Sequence, residues 1–466
     1  MNLIKNMLRD TSFLKKTLAI TIPVALQNLL NNVFNLIDTL MIGQLGETSI
    51  AAVGLANKVF FVFALLMFGI CSGSSILASQ YFGRRELLNM KRVLHISVIL
   101  GVCASIFFVI PGIFFPEQVM RIFTPHKETI EIGASYLAII AISYPITAIT
   151  NTHMAVLRSM HYVRLPVVIT MISIGLNVFL NYGLIFGNWG FPEMGVAGSA
   201  LATLIARVVE CSILLFMIHS RKAGDGNVGD FIHTKYDRQQ EGGVAFLDRI
   251  FLQKFFLTAA PVIANEFIWG LGVTMYSLVY GRMGDTATAA ITITNTVEQV
   301  VLVFFFGICN AAAVVLGNEM GADELDKAQE HAKYYMILVF GLTLVGAVIT
   351  FLSRDYILLL FPVSEQVSEY IRLCLAVFAC YMPFRMVNCL IIVAILRSGG
   401  DTRAALFLDV SGVWMIGIPM AVLGGLVLHL PIYIVYAMIL IEEVYKLILA
   451  FIRYRKKKWL RNIVAG

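Results

Sequence analysis

The chain has 466 residues, of which 59% are hydrophobic and only 14% charged, with a formal net charge of +6, and its mean hydropathy is +0.82. A soluble domain carries roughly 25% charged residues, so this composition excludes water as the main solvent of the chain. Apolar segments of transmembrane length recur from end to end, and barrel strands would be half as long and would alternate polar with apolar residues. The fold class is therefore an all-α, polytopic membrane protein.

Twelve spans are predicted, near 17–42, 51–80, 92–112, 131–155, 165–187, 195–218, 254–281, 288–318, 331–353, 369–395, 404–426 and 431–452. No cleavable signal peptide is expected, because the first apolar run is too long and lacks a small-residue cleavage site. With the N-terminus placed in the cytoplasm, most Lys and Arg fall on the inner side. They include Lys5, Arg9, Lys15, Lys16, the "GRRELLNMKR" loop after the second span and the C-terminal "RYRKKKWLR". The positive-inside rule then puts both termini in the cytoplasm of a plasma (inner) membrane protein. The charge of +6 reads as this bias, with the tail as an anchor for anionic membrane lipids and not a nucleic-acid site. The acidic "NEMGADELDKAQE" (Asn318 to Glu330) is the one inner loop that departs, and acidic residues weigh little in the rule. The seven cysteines all lie in apolar segments with no metal-ligand spacing, and read as small packing residues.

The polar, glycine-containing stretch 219–253 reads as a cytoplasmic linker between an N-terminal six-helix lobe (1–218) and a C-terminal one (254–466). The two halves are related. "MIGQLGETSIAAVGLANKV" (Met41 to Val59) aligns without a gap with "VYGRMGDTATAAITITNTV" (Val279 to Val297) at an offset of 238. The same offset pairs Pro23 with Pro261 and the two "FGIC" runs, while "AVLRSMH" (155–161) pairs with "AILRSGG" (394–400) at 239. Six spans per repeat start both halves on the same side, which gives a parallel repeat and places a substrate site between or within two bundles that rock about each other.

"NLIDTLMIGQLG" (35–46), "LRSMHYVRLPVVITMISIGLNVFLNYGLIFG" (157–187), "GVAGSALATLIARVVE" (195–210) and "ILRSGGDTR" (395–403) resemble the signatures of the multidrug and toxic compound extrusion (MATE) family, over essentially the whole chain. The resemblance implies a two-lobed antiporter that exports organic, often cationic, compounds in exchange for Na⁺ or H⁺. Other 6+6 carriers, such as the major facilitator superfamily, share the architecture. The "GRR" at 83–85 follows the second span as their loop motif does, but "ASQYF" before it lacks the acidic residue. A lipid-linked-oligosaccharide flippase of a related superfamily is a further alternative, usually with fourteen spans and a basic cavity. A channel or receptor fits less well with the repeat and two separated carboxylates. No nucleotide-binding motif, metal cluster or nucleophile constellation points to an enzyme or a cofactor.

The chemistry is expected where polar residues interrupt the apolar spans. In "NLLNNVFNLIDT" (Asn28 to Thr39), residues 28, 31, 32, 35 and 38 share an arc of about 120° at 100° per residue. An ionisable group at mid-span costs about 2.5–3.5 kcal/mol on insertion scales and must face a cavity or a partner. Asp38 is the first candidate, with Asn28, Asn31, Asn32 and Asn35 lining a wet cavity. In the resemblance the matching aspartate carries the coupling cation or proton. Asn177 and Asn181 lie one turn apart on the fifth span. Several branches of the family have an aspartate at the second position, whereas Asn181 offers only a carbonyl ligand for Na⁺.

On the seventh span Glu266, Trp269, Val273, Tyr276 and Tyr280 recur at helical spacing. A carboxylate among aromatic rings suits a hydrophobic cation. The expected coupling-cation set is therefore Asp38, Asn35, Asn177 and Asn181, and the expected substrate set Glu266, Trp269, Tyr276 and Asn31, in a protein that functions as a monomer. Arg207 and Glu210 are expected to pair. Arg385 is a candidate partner for either acid, Glu298 and Lys58 for a vestibule, Asp409 for a gate, and His153 for a titrating or satisfied interior histidine. Pro23 and Pro261 are expected to loosen equivalent helices.

Overall fold

The computed structural model describes residues 2–222, 227–234, 248–359, 361 and 363–465. Nearly half of the expected 219–253 linker, namely 223–226 and 235–247, lies outside the described residues. Among the described residues there is no strand. The long helices are α1 (Thr11–Gly43), α2 (Glu47–Gly83), α3 (Leu87–Phe114), α4 (Lys127–Ile140 and Ser143–Ser159, bent by 48°), α5 (Arg164–Phe186) and α6 (Gly195–His219). The second set is α7 (Arg249–Arg282), α8 (Asp285–Gly321), α9 (Leu325–Leu358), α10 (Glu365–Leu396), α11 (Thr402–Val427) and α12 (Ile432–Arg455). Ten of them are individually long and apolar enough to cross a bilayer, and the bent α4 pair makes eleven as one span. The twelfth, α12, has 24 residues but carries Glu442, Glu443 and Lys446 near its middle.

The chain forms two compact units, Leu26–Ala259, and Met1–Ala25 together with Ala260–Gly466. The divide falls inside α1 and inside α7, close to Pro23 and Pro261. Both prolines sit within helices that run through them. The start of α1 is fixed by Asp10, whose Oδ1 accepts from the Phe13 N–H at 2.9 Å. That cap holds the Asp10 carboxyl below its ordinary range.

The sequence repeat is reproduced in backbone detail. Gly46 and Gly284, 238 residues apart, both have φ +108° and both start a helix. Arg85 (φ 62°) and Asp323 (φ 61°) occupy the same left-handed step in the turns after α2 and α8. The hydrogen bonds match too: Glu86 N–H to Tyr81 O and Glu324 N–H to Glu319 O, each at 2.9 Å. At the 239 offset His161 (φ 62°) answers Gly400 (φ 72°). The halves differ in their late helices. Leu390–Leu396, Gly412–Gly417 and Leu423–Val427 widen to π-helical turns, whereas α5 and α6 are regular α-helices.

Small residues set how closely helices approach, as expected where lipid supplies little driving force for packing. A Cβ on Gly198 of α6 would stand 2.4 Å from the Leu184 carbonyl oxygen of α5, and the Met194 N–H donates to that same oxygen at 2.8 Å. After α12 the tail turns inward. Trp459 is fully buried, Arg461 donates to the carbonyls of Gly399 and Gly400 at 3.0 and 2.8 Å, and Asn462 donates to Gly321 O at 3.1 Å. Lys456, Lys457 and Lys458 remain exposed.

Gly198→Ala is expected to force α5 and α6 apart and to lower stability by about 1–3 kcal/mol. Thermal unfolding of the detergent-solubilised protein checks this, and an unchanged midpoint would refute the close-approach reading.

Candidate functional site

The first polar centre lies in the Leu26–Ala259 unit, where α1, α5 and α6 each contribute one face. Ser173, Asn177 and Asn181 follow the helical period along α5, and Ser199, Thr203 and Arg207 do so along α6. Asp38 Oδ1 accepts from Asn181 Nδ2 at 2.8 Å and from the Ser199 hydroxyl at 3.1 Å. Asn181 Nδ2 also donates to Asn177 Oδ1 at 2.8 Å, and Asn177 Nδ2 donates to Thr203 Oγ1 at 3.0 Å. Asn177 and Asn181 are fully buried, and Asn181 Oδ1 has no donor among the described residues. With both its N–H groups engaged by acceptors, Asn181 keeps one oxygen without a donor among the described residues, near the Asp38 carboxyl group, a set of oxygens of the kind a hard cation takes.

Next to this chain of bonds is a narrow cleft of about 10 Å³, room for about one water, lined in part by Asn31, Thr170, Asn177, Thr203, Arg207 and Glu210. Arg207 and Glu210 pair at 2.8 Å, as expected, and the Gln27 amide donates to Thr170 Oγ1 at 3.1 Å. The structure thus brings Asp38, Asn177 and Asn181 together and sets Asn31 on the adjoining cleft. It leaves Asn35 exposed, with its carbonyl accepting from Thr39 Oγ1 at 2.8 Å. Ser199 and Thr203 were not singled out from the sequence. Their i, i+4 spacing, continued by Arg207 in a Gly/Ala-rich helix, was the available signal.

The second polar region lies in the unit containing Ala260–Gly466. Glu266 is buried against Arg397, Oε1 to Nη1 at 2.8 Å, so its charge is already met by a guanidinium. Tyr276 donates to Glu442 Oε2 at 2.6 Å, and Trp269 is half-buried. Glu266 and Tyr276 therefore engage different partners and do not converge as a carboxylate-and-aromatic box. Arg385 pairs with Glu298 at 2.6 Å, and so with neither Asp38 nor Glu266. Glu298 is buried, also accepting from the Tyr436 hydroxyl, and does not line an open vestibule. Lys58 is exposed, and His153 Nδ1 is satisfied by the Ile149 carbonyl of its own helix at 2.7 Å. Asp409 meets Lys446 at 3.3 Å. Glu442, Glu443 and Lys446 also escaped the sequence reading, although three charges at i, i+1 and i+4 in a 24-residue span are a plain signal.

Comparison with known proteins decides the family. The MatE family model matches residues 23–183 and 261–423, one stretch in each half. The chain belongs to the MATE family. Among its relatives is the uncharacterized transporter YisQ of Bacillus subtilis, 25% identical over 97% of this chain and 96% of that protein. Another is the probable multidrug resistance protein NorM of Thermotoga maritima, 26% identical over 87% of this chain and 84% of that one. A mutant of the Vibrio cholerae MATE transporter VcmN superposes with a TM-score of 0.84 at 19% identity, over 96% of this chain and 97% of that one. A MOP superfamily transporter from Pyrococcus furiosus gives 0.81 at 20%, over 95% of each. This MATE protein is accordingly a multi-pass membrane transporter, as its relatives are named.

The two candidate acids should respond differently to neutralisation. Glu266→Gln removes the carboxylate from a buried ion pair, a change that typically costs about 3–5 kcal/mol. Asp38→Asn removes charge from a site built of neutral donors and should shift stability far less. Paired unfolding measurements that show equal losses would contradict this assignment of environments.

Proposed function

We propose that this MATE protein is a secondary antiporter that exports lipophilic organic cations in exchange for Na⁺ or H⁺ by alternating access. The observation that carries the reading is the Asp38 centre: a carboxylate held by Asn181 and Ser199, with the Asn181 oxygen left without a donor among the described residues. In the outward-open state a cation binds between Asp38 and the Asn181 carbonyl. Asn177 holds Asn181 in position, and Asn35 stands on the exposed side of the same helix as Asp38. In the inward-open state the cation leaves and the substrate enters beside Asn31 and the neighbouring cleft. Because one carboxylate cannot favour two cations together, each ligand weakens the other, and this reciprocity is the coupling.

Trp269 and Tyr276 contribute aromatic surface on the other half. Glu266 acts there through its pair with Arg397 and not as a bare counter-charge. The drug-export part of the reading draws support from relatives named multidrug resistance proteins. We place the protein in the plasma membrane as a monomer, with both termini cytoplasmic. There the exposed Lys456–Lys458 run meets anionic lipid.

The test is reconstitution into liposomes with a fluorescent lipophilic cation, under a Na⁺ gradient or a pH gradient applied separately. One gradient should drive uphill flux and the Asp38→Asn protein should lose it while remaining folded. Asn181→Leu, which deletes one oxygen ligand, should raise the half-saturating cation concentration about tenfold, the equivalent of roughly 1.4 kcal/mol. Wild-type pumping by Asp38→Asn would remove the aspartate from the mechanism, and no flux under either gradient would turn attention to a lipid-linked substrate.

A further inference from the structure

The cleft beside Asp38 has a counterpart in the other half, and the counterpart is filled. At the repeat offsets Gln27 corresponds to Asn265, Thr170 to Asp409, Ser173 to Gly412, Thr203 to Glu442 and Arg207 to Lys446. The alignment holds in hydrogen bonds. The Gln27 amide donates to Thr170 at 3.1 Å, and the Asn265 amide donates to Asp409 Oδ2 at 3.0 Å. In the first half Ser173 and Arg207 line a narrow cleft with room for about one water. In the second, Gly412 replaces the serine and the lysine stem lies across it. A Cβ on Gly412 would meet Lys446 Cε at 2.4 Å and Cγ at 2.7 Å.

The Lys446 ammonium then sits among three carboxylates, 3.2 Å from Glu442 Oε1, 3.3 Å from Asp409 Oδ1 and 3.9 Å from Glu443 Oε1. Its side chain is 4% exposed and the three acids 7%, 16% and 9%, so these contacts are made away from solvent. The ammonium hydrogen-bonds to Glu442 Oε1 and pairs by charge with Asp409 and Glu443. The second oxygen of every carboxylate is also engaged by a neutral donor. Tyr276 donates to Glu442 Oε2 at 2.6 Å, Asn265 to Asp409 Oδ2 at 3.0 Å, and Asn388 to Glu443 Oε2 at 2.8 Å. All six carboxylate oxygens have partners. A mobile cation entering here would find no free carboxylate oxygen and would meet the ammonium's repulsion.

We propose that Lys446 is a tethered cation: its ammonium permanently occupies the repeat-equivalent polar site, so the C-terminal half exchanges no coupling ion and Asp38 alone couples transport. The inference rests on the Asp38 reading for its second clause only. A covalently held charge cannot be released on either side of the membrane, which converts an ion site into a structural one. The two negative charges left over in the cluster hold the ammonium in place, and they would attract a free cation strongly if the lysine were removed.

The experiment compares Asp38→Asn with Asp38→Asn/Lys446→Met by thermal unfolding in detergent, in NaCl against choline chloride at constant ionic strength and at two pH values. Asp38→Asn is expected to show no specific cation response. The double variant is expected to gain one, a rise of several degrees in the unfolding midpoint with Na⁺ or with lower pH, and the two arms separate Na⁺ from protons. Lys446→Arg in the same background should stay unresponsive. If the double variant does not accumulate, adding Glu442→Gln leaves two acids without their lysine and gives the same comparison. Absence of any gained response in the folded variant overturns the proposal. So does a response of Asp38→Asn that Asp409→Asn abolishes, since the second half would then already exchange ions. A response of Asp38→Asn that Asp409→Asn leaves intact sinks the Asp38 reading instead, and the gain with Lys446→Met still decides the role of the lysine.

Discussion

An ionised side chain inside a membrane-spanning helix must be met by an opposite charge or by several hydrogen bonds, because the surrounding medium offers neither. Both halves of this transporter are organised around that demand, and they meet it in different ways. In the second half the charges are met by charges: Glu266 by Arg397, Glu298 by Arg385, and three acids by Lys446. In the first half Glu210 is likewise met by Arg207, but Asp38 is met, among the described residues, by the neutral donors Asn181 and Ser199. A carboxyl group satisfied by dipoles has no fixed counter-charge to compete with a passing cation. One satisfied by a guanidinium or ammonium does. The difference in counter-group, more than the presence of acids, separates a site able to exchange ions from one that stabilises structure.

The repeat explains how two such environments arise on one backbone plan. Left-handed steps recur at Gly46 and Gly284, at Arg85 and Asp323, and at His161 and Gly400. These turns set where each helix begins, and so fix which residues face one another at equivalent depths. The Gln27–Thr170 and Asn265–Asp409 bonds show the register surviving into the polar centre. Side chains are then free to diverge: arginine opposite lysine, serine opposite glycine. The π-helical turns in α10 and α11 mark where the second half also departs in backbone. Such turns insert a residue and rotate the next stretch of helix about its axis, and two of them flank or contain the positions of Asp409, Gly412 and Trp414.

Much of the fold was legible because the bilayer constrains it so strongly. Span length, the positive-inside bias and the offsets 238 and 239 are properties of the sequence alone, and helices fill every predicted span. The Asp38, Asn177 and Asn181 grouping was legible for a related reason. A polar group in an apolar run has few solutions, and helical periodicity names the face it must take. What could not be read was which cation answers which anion. Arg385 had two apparent claimants and chose a third, Glu298, from α8. Glu266 looked like a free counter-charge only because Arg397 stands 131 positions away in a loop-adjacent "LRSGG" run. Pairing across helices depends on depth and rotation, and a single sequence does not encode these as local pattern.

The same consideration bears on how the halves divide labour. If both polar clusters released ions, each cycle would have to move or neutralise at least two buried carboxylate groups, and every one of them would carry a desolvation cost of several kcal/mol whenever left bare. In the second half the buried acids are held by fixed cations and neutral donors, which lowers that cost without requiring any of them to release an ion. On the proposed reading the other half concentrates the exchange at one carboxylate, near an amide oxygen without a donor among the described residues. Pro23 and Pro261 lie close to the points in α1 and α7 where the chain passes between the two units. Proline removes one backbone hydrogen bond and tolerates bending. Asp38 lies fifteen residues beyond Pro23 on the same helix, so a change of bend there alters the depth and rotation at which Asp38 meets Asn181 and Ser199. On the proposed reading, a cation at Asp38 would draw those three groups together and favour one bend of α1 over another, which would link a bound ion to the movement of a helix.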